Sequence, residues 1–270
     1  AEAGFSNVSL VEAQAQPDPD FPTVPFPNPE EAGALDMAIE QAREQGADLI
    51  IAVDPDADRC ALAVPDPSSE TGWSPLSGDQ TGSLLGEFLA SRGMRGSLAN
   101  SIVSSRLLSR IAHAHGLEHH TTLTGFKWIA RAPGLGFGYE EAIGFCPDPA
   151  HVRDKDGIAT SVVAASLVAA LKAQGRSVWD ELERLARLHG LHVSSPLTFR
   201  VEEIEQIASG MARLRAQPPS VLAGSPVVEV SDLSQGYRGL PPTDGVLVLT
   251  EAGDRVIARP SGTEPKLKCY

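Results

Sequence analysis

The chain has 270 residues, 42% of them apolar, and a formal net charge of −13. Its length predicts two or three compact units with ample core. The acidic balance argues against nucleic acid as a partner, since binding its backbone calls for a basic face. Phosphorylated small molecules stay compatible if the few cations are focused in one place. Cys60, Cys146 and Cys269 stand far apart without CxxC spacing, which predicts inert thiols in a reducing compartment. No apolar run approaches the ~20 residues of a membrane span, and the first residues lack the blocks of a signal peptide. A cytoplasmic location without a membrane partner is the expectation.

In chain order, a short strand-like stretch "NVSLVEA" precedes the proline-rich "QPDPDFPTVPFPNPEE", which must run extended over a surface. Asn28 as cap, Pro29 at the first helical position and Glu31 three residues after the cap predict a helix start. Leu35, Ala38, Ile39 and Ala42 continue it at helical spacing, and Gly46 marks its stop. "DLIIAV" then reads as a buried strand of a parallel α/β sheet. Downstream the pattern predicts a helix from about Asp79 to Arg92, a strand near "SLANSIVS", and a helix over "RLLSRIAHAHG". A strand near "HHTTLTG", a short helix around "FKWIARA", a strand near "LGFGYEE" and two further helices to about residue 190 follow. The remainder reads as a smaller α+β unit: a strand "LTFRVE", one amphipathic helix, and strands near "PVVEVSD", "GVLVLTE" and "DRVIARP". The fold class is thus α/β, two α/β units with mixed or parallel sheets, plus a smaller C-terminal α+β domain. The expected boundaries are 1–74, 75–190 and 191–270.

Chemistry concentrates in a few stretches. Asp54, Asp56 and Asp58 in "DPDADR" sit at alternate positions at a strand's carboxyl end, where ligands gather in such sheets. Three converging carboxylates repel unless a hard cation compensates them, which points to a metal site. An EF-hand is excluded by Arg59 and Pro65, where that loop wants glycine and glutamate; a solvated acidic turn is the plainer alternative. "RPSGTEPKLK" sets Arg259, a bidentate anion fork, beside Ser261, Gly262 and Thr263, with Lys266 and Lys268 close by, and reads as a phosphate-binding loop. It is not a Walker loop. Lys127 in "TGFKWIA" is placed to meet a phosphate, although a lone lysine is ordinarily a solvated surface group. Glu140 and Glu141 in "GYEEAIG" are suited to accept hydrogen bonds from sugar hydroxyls. The histidines at 113, 115, 119 and 120 read as surface residues, because Gly116 interrupts any shared face.

Together, DPDADR at 54–59, TGFKWI at 124–129, GYEEAIG at 138–144, RDKDG at 153–157 and RPSGTEPKLK at 259–268 resemble, in this order, the α-D-phosphohexomutase superfamily of phosphoglucomutases and phosphomannomutases. The resemblance implies a four-domain enzyme that moves a phosphoryl group between the 1- and 6-positions of a hexose phosphate. It does so through a phosphoserine and a bisphosphorylated sugar that serves as activator. The resemblance further implies Mg²⁺ held by Asp54, Asp56 and Asp58, and Arg59 as a catalytic residue beside the phosphoserine. Lys127, Glu140, Ala142, Arg259, Ser261, Gly262 and Thr263 would contact substrate.

Two departures qualify it. Ala142 stands where the family's GExS loop has serine, which resembles the branch of phosphopentomutases and glucose-1,6-bisphosphate synthases. The family's TASHNP-like serine loop has no counterpart, since no Ser-His pair occurs. The expectation is therefore part of domain two, domain three and most of domain four, inactive alone; the alternative is a complete, non-catalytic phosphosugar-binding relative. A metal-dependent phosphatase with Asp54 as nucleophile is a third reading. The oligomeric state is not legible.

Overall fold

Residues 54–59 are too short a link for the crossover that parallel strands need, so the chain reverses there. In the computed structural model, which describes residues 3–261 and 265–270, β1 (Ile50–Val53) pairs antiparallel with β2 (Cys60–Pro65), and β2 with β3 (Trp73–Pro75). This corrects the parallel sheet expected here. Ile51 and Val53 are 38% and 44% exposed, so β1, an edge strand of the three-stranded sheet, is not the buried strand its composition suggested. The stretch before it is extended and carries one short helix, α1 (Glu12–Ala15), in place of the expected first strand.

The next helix, α2 (Asp36–Gln45), begins later than its cap signal. Asn28 spends its side-chain oxygen on the Glu30 N–H at 3.1 Å, and Gly33 at φ 82° breaks the series of turns that follows. An Asx turn thus takes the place of the cap. The stop at Gly46 is as expected, with φ 62° and its N–H on the Ala42 carbonyl. Leu35, Ala38, Ile39 and Ala42 pack with Ile50, Ala63 and Trp73.

The chain divides into two compact units, residues 3–101 with 105–192, and residues 102–104 with 193–270. The first also holds α3 (Gly78–Ser91), β4 (Ser97–Ser101), α4 (Leu107–Ala114), β5 (His119–Thr122), α5 (Phe126–Ile129), β6 (Leu135–Glu140), β7 (Gly144–Cys146), α6 (Gly157–Ala173) and α7 (Val178–His189). Its larger sheet runs β5-β4-β6-β7, parallel except for β7. Gly78, Gly82 and Gly86 give α3 a bare stripe. A Cβ at Gly82 would stand 2.5 Å from the Tyr139 ring, so the helix lies directly on that ring, which Phe137 and Phe145 flank at a tilt. Tyr139 is fully covered, and its hydroxyl donates to Asp79 at 2.8 Å. Cys60 and Cys146 are buried, which pushes their thiols up to about 11 and about 12.

In the second unit, α8 (Ile204–Ala216) covers one face of an antiparallel sheet built from β8 (Leu197–Arg200), β9 (Val221–Leu222), β10 (Ser225–Asp232), β11 (Val246–Thr250), β12 (Arg255–Pro260) and β13 (Lys266–Cys269). The strand order is β8-β13-β12-β11-β10-β9. Among the described residues no single helix is long and apolar enough to cross a membrane.

The histidines do not all lie on the surface as expected. His113 and His115 are exposed as expected, the His115 Nε2 2.9 Å from the Glu87 carboxylate, whereas His119 and His120 are not. His119 is half-buried, and its Nε2–H donates to the Asn100 side-chain oxygen at 3.0 Å. Burial, helped by the neighbouring His120, pushes the His119 imidazole down to about 4. An unfolded histidine titrates near 6.5, so the unfolded chain takes up the proton first as pH falls. The stabilisation is complete above about pH 6.5 and drains away between there and about pH 4, by at most roughly 3 kcal/mol. Urea denaturation at a series of pH values should show that slope, and His119→Gln should flatten it.

Candidate functional site

The loop between β1 and β2 carries the three aspartates. Asp54 is 4% exposed, Asp56 is exposed and Asp58 lies between. Carboxylate oxygens of the three come within 4.8 Å of one another. Asp54 is gripped twice by Arg59, whose backbone N–H reaches Oδ1 at 2.9 Å and whose Nε–H reaches Oδ2 at 2.6 Å. Burial pushes the Asp54 carboxyl up, but these bonds and the guanidinium charge outweigh it and hold the group below its usual value. Arg59 also donates to Asn28 at 3.3 Å. The Lys155 ammonium, from the chain just before α6, meets Asp58 Oδ2 at 2.7 Å. Hard oxygen donors this close suit Mg²⁺, Ca²⁺ or Mn²⁺. An octahedral ion of that class needs oxygens roughly 3–4 Å apart, so small carboxylate rotations suffice for the set to hold one.

Backbone contacts join this loop to the turn between β6 and β7. The Cys60 N–H donates to the Ile143 carbonyl at 3.0 Å, and Arg59 bridges Gly144. Ala57 and Ile143 both have positive φ, 57° and 52°, an uncommon conformation for alanine and a strained one for isoleucine. Glu140, at the end of β6, accepts the Gly125 N–H at 2.6 Å. That bond ties it to the turn that opens α5. Lys127 stands exposed on α5 and Ala142 exposed at the tip of the turn. Glu141 accepts from the Ser101 hydroxyl at 3.1 Å. The first unit thus brings Asp54, Asp56, Asp58, Arg59 and the Glu140 turn into one connected piece of backbone.

The remaining candidates lie in the second unit. Arg259 is the last residue but one of β12, and the Ser261 N–H donates to the Lys266 carbonyl at 2.8 Å, closing the loop's base. Gly262 and Thr263 fall outside the described residues. The register sets Arg259 opposite Lys268 and Lys266 opposite Arg200. Directly opposed like charges destabilise a sheet, and in an acidic chain this positive face favours an anion. Two contributors to the first unit's site were missed from sequence. Asn28 had been read as a helix cap, and Lys155 lay inside the RDKDG stretch, which named no contact.

Comparison with known proteins gives the family. Residues 1–68 match phosphoglucomutase/phosphomannomutase, alpha/beta/alpha domain II, and residues 77–188 match alpha/beta/alpha domain III of the same family. The chain belongs to the α-D-phosphohexomutase superfamily. Within it, the chain is 45% identical over its whole length to the Haemophilus influenzae protein named "Probable phosphomannomutase", 55% of which it covers. It is 36% identical to the phosphoglucomutase of Staphylococcus haemolyticus, over 98% of this chain and 52% of that protein. The chain therefore spans about half the length of the curated relatives it matches. Among solved structures, the Paramecium phosphoglucomutase parafusin in its open form aligns with 90% of this chain and 45% of its own, at TM-score 0.65 and 19% identity. A Burkholderia thailandensis phosphoglucomutase/phosphomannomutase family protein aligns over 90% of this chain and 47% of its own, at 0.59 and 17%. These two likenesses bear on the fold.

The superfamily chain leaves no room at the first residue of α6. The Gly157 N–H donates to the Ala57 carbonyl at 3.0 Å, and a Cβ there would stand 2.7 Å from the carbonyl oxygens of both Ala57 and Arg59. Both obstacles are backbone, so the aspartate loop must move. Gly157→Ala should cost about 1–3 kcal/mol in urea denaturation. It should also weaken divalent-cation binding several-fold in a Mn²⁺ titration, whereas Gly175→Ala, in open space at the far end of α6, should leave that binding unchanged.

Proposed function

We propose that these residues supply the cation loop, the sugar-reading loop and a phosphate loop of a phosphoglucomutase/phosphomannomutase. Such an enzyme moves a phosphoryl group between the 1- and 6-positions of a hexose phosphate by way of a phosphoserine and a sugar bisphosphate. The observation that carries the reading is the backbone junction of Cys60 with Ile143, which fixes the aspartate loop against the Glu140 turn. Asp54, Asp56 and Asp58 would hold Mg²⁺, which when bound offsets negative charge on the transferring phosphoryl group. Arg59, held by Asp54, keeps a fixed positive charge beside that position. Glu140, steadied by the Gly125 N–H, would accept from sugar hydroxyls, and the exposed Lys127 on α5, the helix that Gly125 opens, would meet a phosphate. In the second unit Arg259 and Ser261 would bind the phosphate that is not transferred, together with Gly262 and Thr263 of the same loop. Attack on phosphorus requires a nucleophile in line, and in this reading it is the family's serine, for which the 270 residues contain no matching loop. Boundaries near 74 and 190 would separate the three contributions.

The phosphatase alternative fares worse. It needs a free Asp54 carboxylate, yet both oxygens of that buried group are taken by Arg59. A nucleophile held in two bonds and screened from solvent is a poor one.

Asp56 is the exposed ligand, so Asp56→Asn should weaken Mn²⁺ binding at least tenfold with little change in stability, read by titration and thermal denaturation. A charge-assisted hydrogen bond contributes about 1.5–3 kcal/mol, so Arg259→Ala should weaken glucose 6-phosphate binding roughly ten- to a hundredfold in calorimetry. Glu140→Gln should instead reorder the affinities for glucose and mannose phosphates. Unchanged glucose 6-phosphate affinity in Arg259→Ala would refute the phosphate-loop assignment.

A further inference from the structure

Among the described residues, Lys155 is the one cation that forms an ion pair with the aspartate loop from outside it. Its Nζ lies 2.7 Å from Asp58 Oδ2 and 5.5 Å from the Phe126 ring centre, and its stem lies across Gly144, where an added Cβ would meet Cδ at 2.4 Å. The side chain is 20% exposed and so is held by contacts from three elements. Other carboxylates are within its reach. Asp154 Oδ1 stands at 3.5 Å, and the Glu140 charge acts on the ammonium as well.

Counting only the loop's own three carboxylates and the two cations in contact with them, Arg59 and Lys155, leaves one net negative charge. Asp154, 68% exposed, is screened by solvent, and Glu140 is taken by the Gly125 N–H. A divalent cation arriving alone would turn this into one net positive charge. A phosphoryl dianion arriving with it would restore one net negative charge. Without Lys155 the loop would carry two negative charges, and a divalent cation alone would neutralise it.

We propose that Lys155 makes divalent-cation binding at Asp54, Asp56 and Asp58 conditional on a phosphoryl anion. It does so by occupying Asp58 in the cation-free chain and by opposing a lone cation electrostatically. The inference rests on the cation-site reading above and adds to it an order: anion and cation bind together, and neither accumulates well alone. An ammonium and a dication on two sides of one carboxylate stand roughly 4–5 Å apart, which at the dielectric constant of water and with salt screening disfavours the cation about tenfold. Arg59 does not share this role: its Nε stands 3.8 Å from Asp58 Oδ1 but 2.6 Å from Asp54 Oδ2, and its backbone N–H holds Asp54 Oδ1.

The test measures Mn²⁺ affinity of the whole 270-residue chain by electron paramagnetic resonance, with and without glucose 1-phosphate, in the parent, Lys155→Met, Lys155→Gln and Lys155→Arg. The two neutral variants should bind Mn²⁺ alone about tenfold more tightly than the parent. Glucose 1-phosphate should then tighten Mn²⁺ binding clearly in the parent and in Lys155→Arg, and only slightly in the neutral variants. A merely structural lysine predicts the opposite sign, weaker Mn²⁺ binding when it is removed. Equal or weaker Mn²⁺ binding in whichever neutral variant keeps the parent's circular dichroism overturns the proposal. Asp56→Asn serves as the separate control: if it binds Mn²⁺ like the parent, the cation-site reading itself fails.

Discussion

Mutual repulsion among Asp54, Asp56 and Asp58 is the constraint around which the first unit is arranged. Carboxylates this close do not stay together on their own. The fold answers with a grip on each end of the loop. Arg59 closes on Asp54 with backbone and side chain, and Lys155 closes on Asp58. Because Asp54 is almost fully covered, its bonds to Arg59 work where water screens little, and removing the Arg59 side chain would leave a buried carboxylate without its counter-charge. The exposed Asp56 between them is left accessible.

Holding the loop from both ends fixes more than the carboxylates. The residue after Arg59 donates its N–H into the neighbouring turn at Ile143, and the carbonyl of Ala57 receives the first N–H of α6. The strained backbone at Ala57 and Ile143 lies at these two junctions. Backbone strain of this kind persists only where surrounding contacts over-determine it, and here glycines at 78, 144 and 157 let those contacts come close enough to do so. An added Cβ at Gly78 would stand 1.9 Å from the Glu141 carbonyl oxygen. The sugar-reading turn and the cation loop are thus two sides of one backbone junction.

Much of this was legible in the sequence, and the misses have identifiable causes. The helices from α3 to α7 follow their apolar spacing and their caps, with Ser77 and Ser177 each closing a capping box. The aspartates stand at the end of β1 where the pattern put them. The direction of the β1–β2 pair was misread because a helix before an apolar strand was taken as the mark of a parallel sheet, while the short link at 54–59 already required a reversal. The start of α2 was misread because Asn28 can satisfy either a helix cap or an Asx turn, and only the Arg59 guanidinium beside it decides between them. His119 looked like one of a surface cluster because nothing local says that Asn100, on the adjacent parallel strand β4, lies within reach. Lys155 was unreadable for the same reason, its partner lying almost a hundred residues away in the chain.

The two cations at the aspartate loop are also different in kind, and the difference matches their places. Arginine is planar, always charged, and presents donors in a fixed fork; lysine is a point charge on a flexible stem. At position 59 the guanidinium serves two acceptors at once, Asp54 Oδ2 through Nε and the Asn28 side-chain oxygen through a terminal nitrogen, while the backbone N–H holds Asp54 Oδ1 and continues into β2. A lysine there would keep the backbone bond to Oδ1 but lose the Nε–H bond to Oδ2 of the buried Asp54. At position 155 the requirement is reversed. The ammonium must pass over the face of Phe126 and along Gly144 to reach Asp58, with other carboxylates nearby on Asp154 and Glu140. A compact charge on a narrow stem fits that path and exchanges partners without rearranging the backbone. The loop therefore combines one permanent counter-charge, built into the strand that follows it, with one exchangeable counter-charge supplied from the neighbouring element.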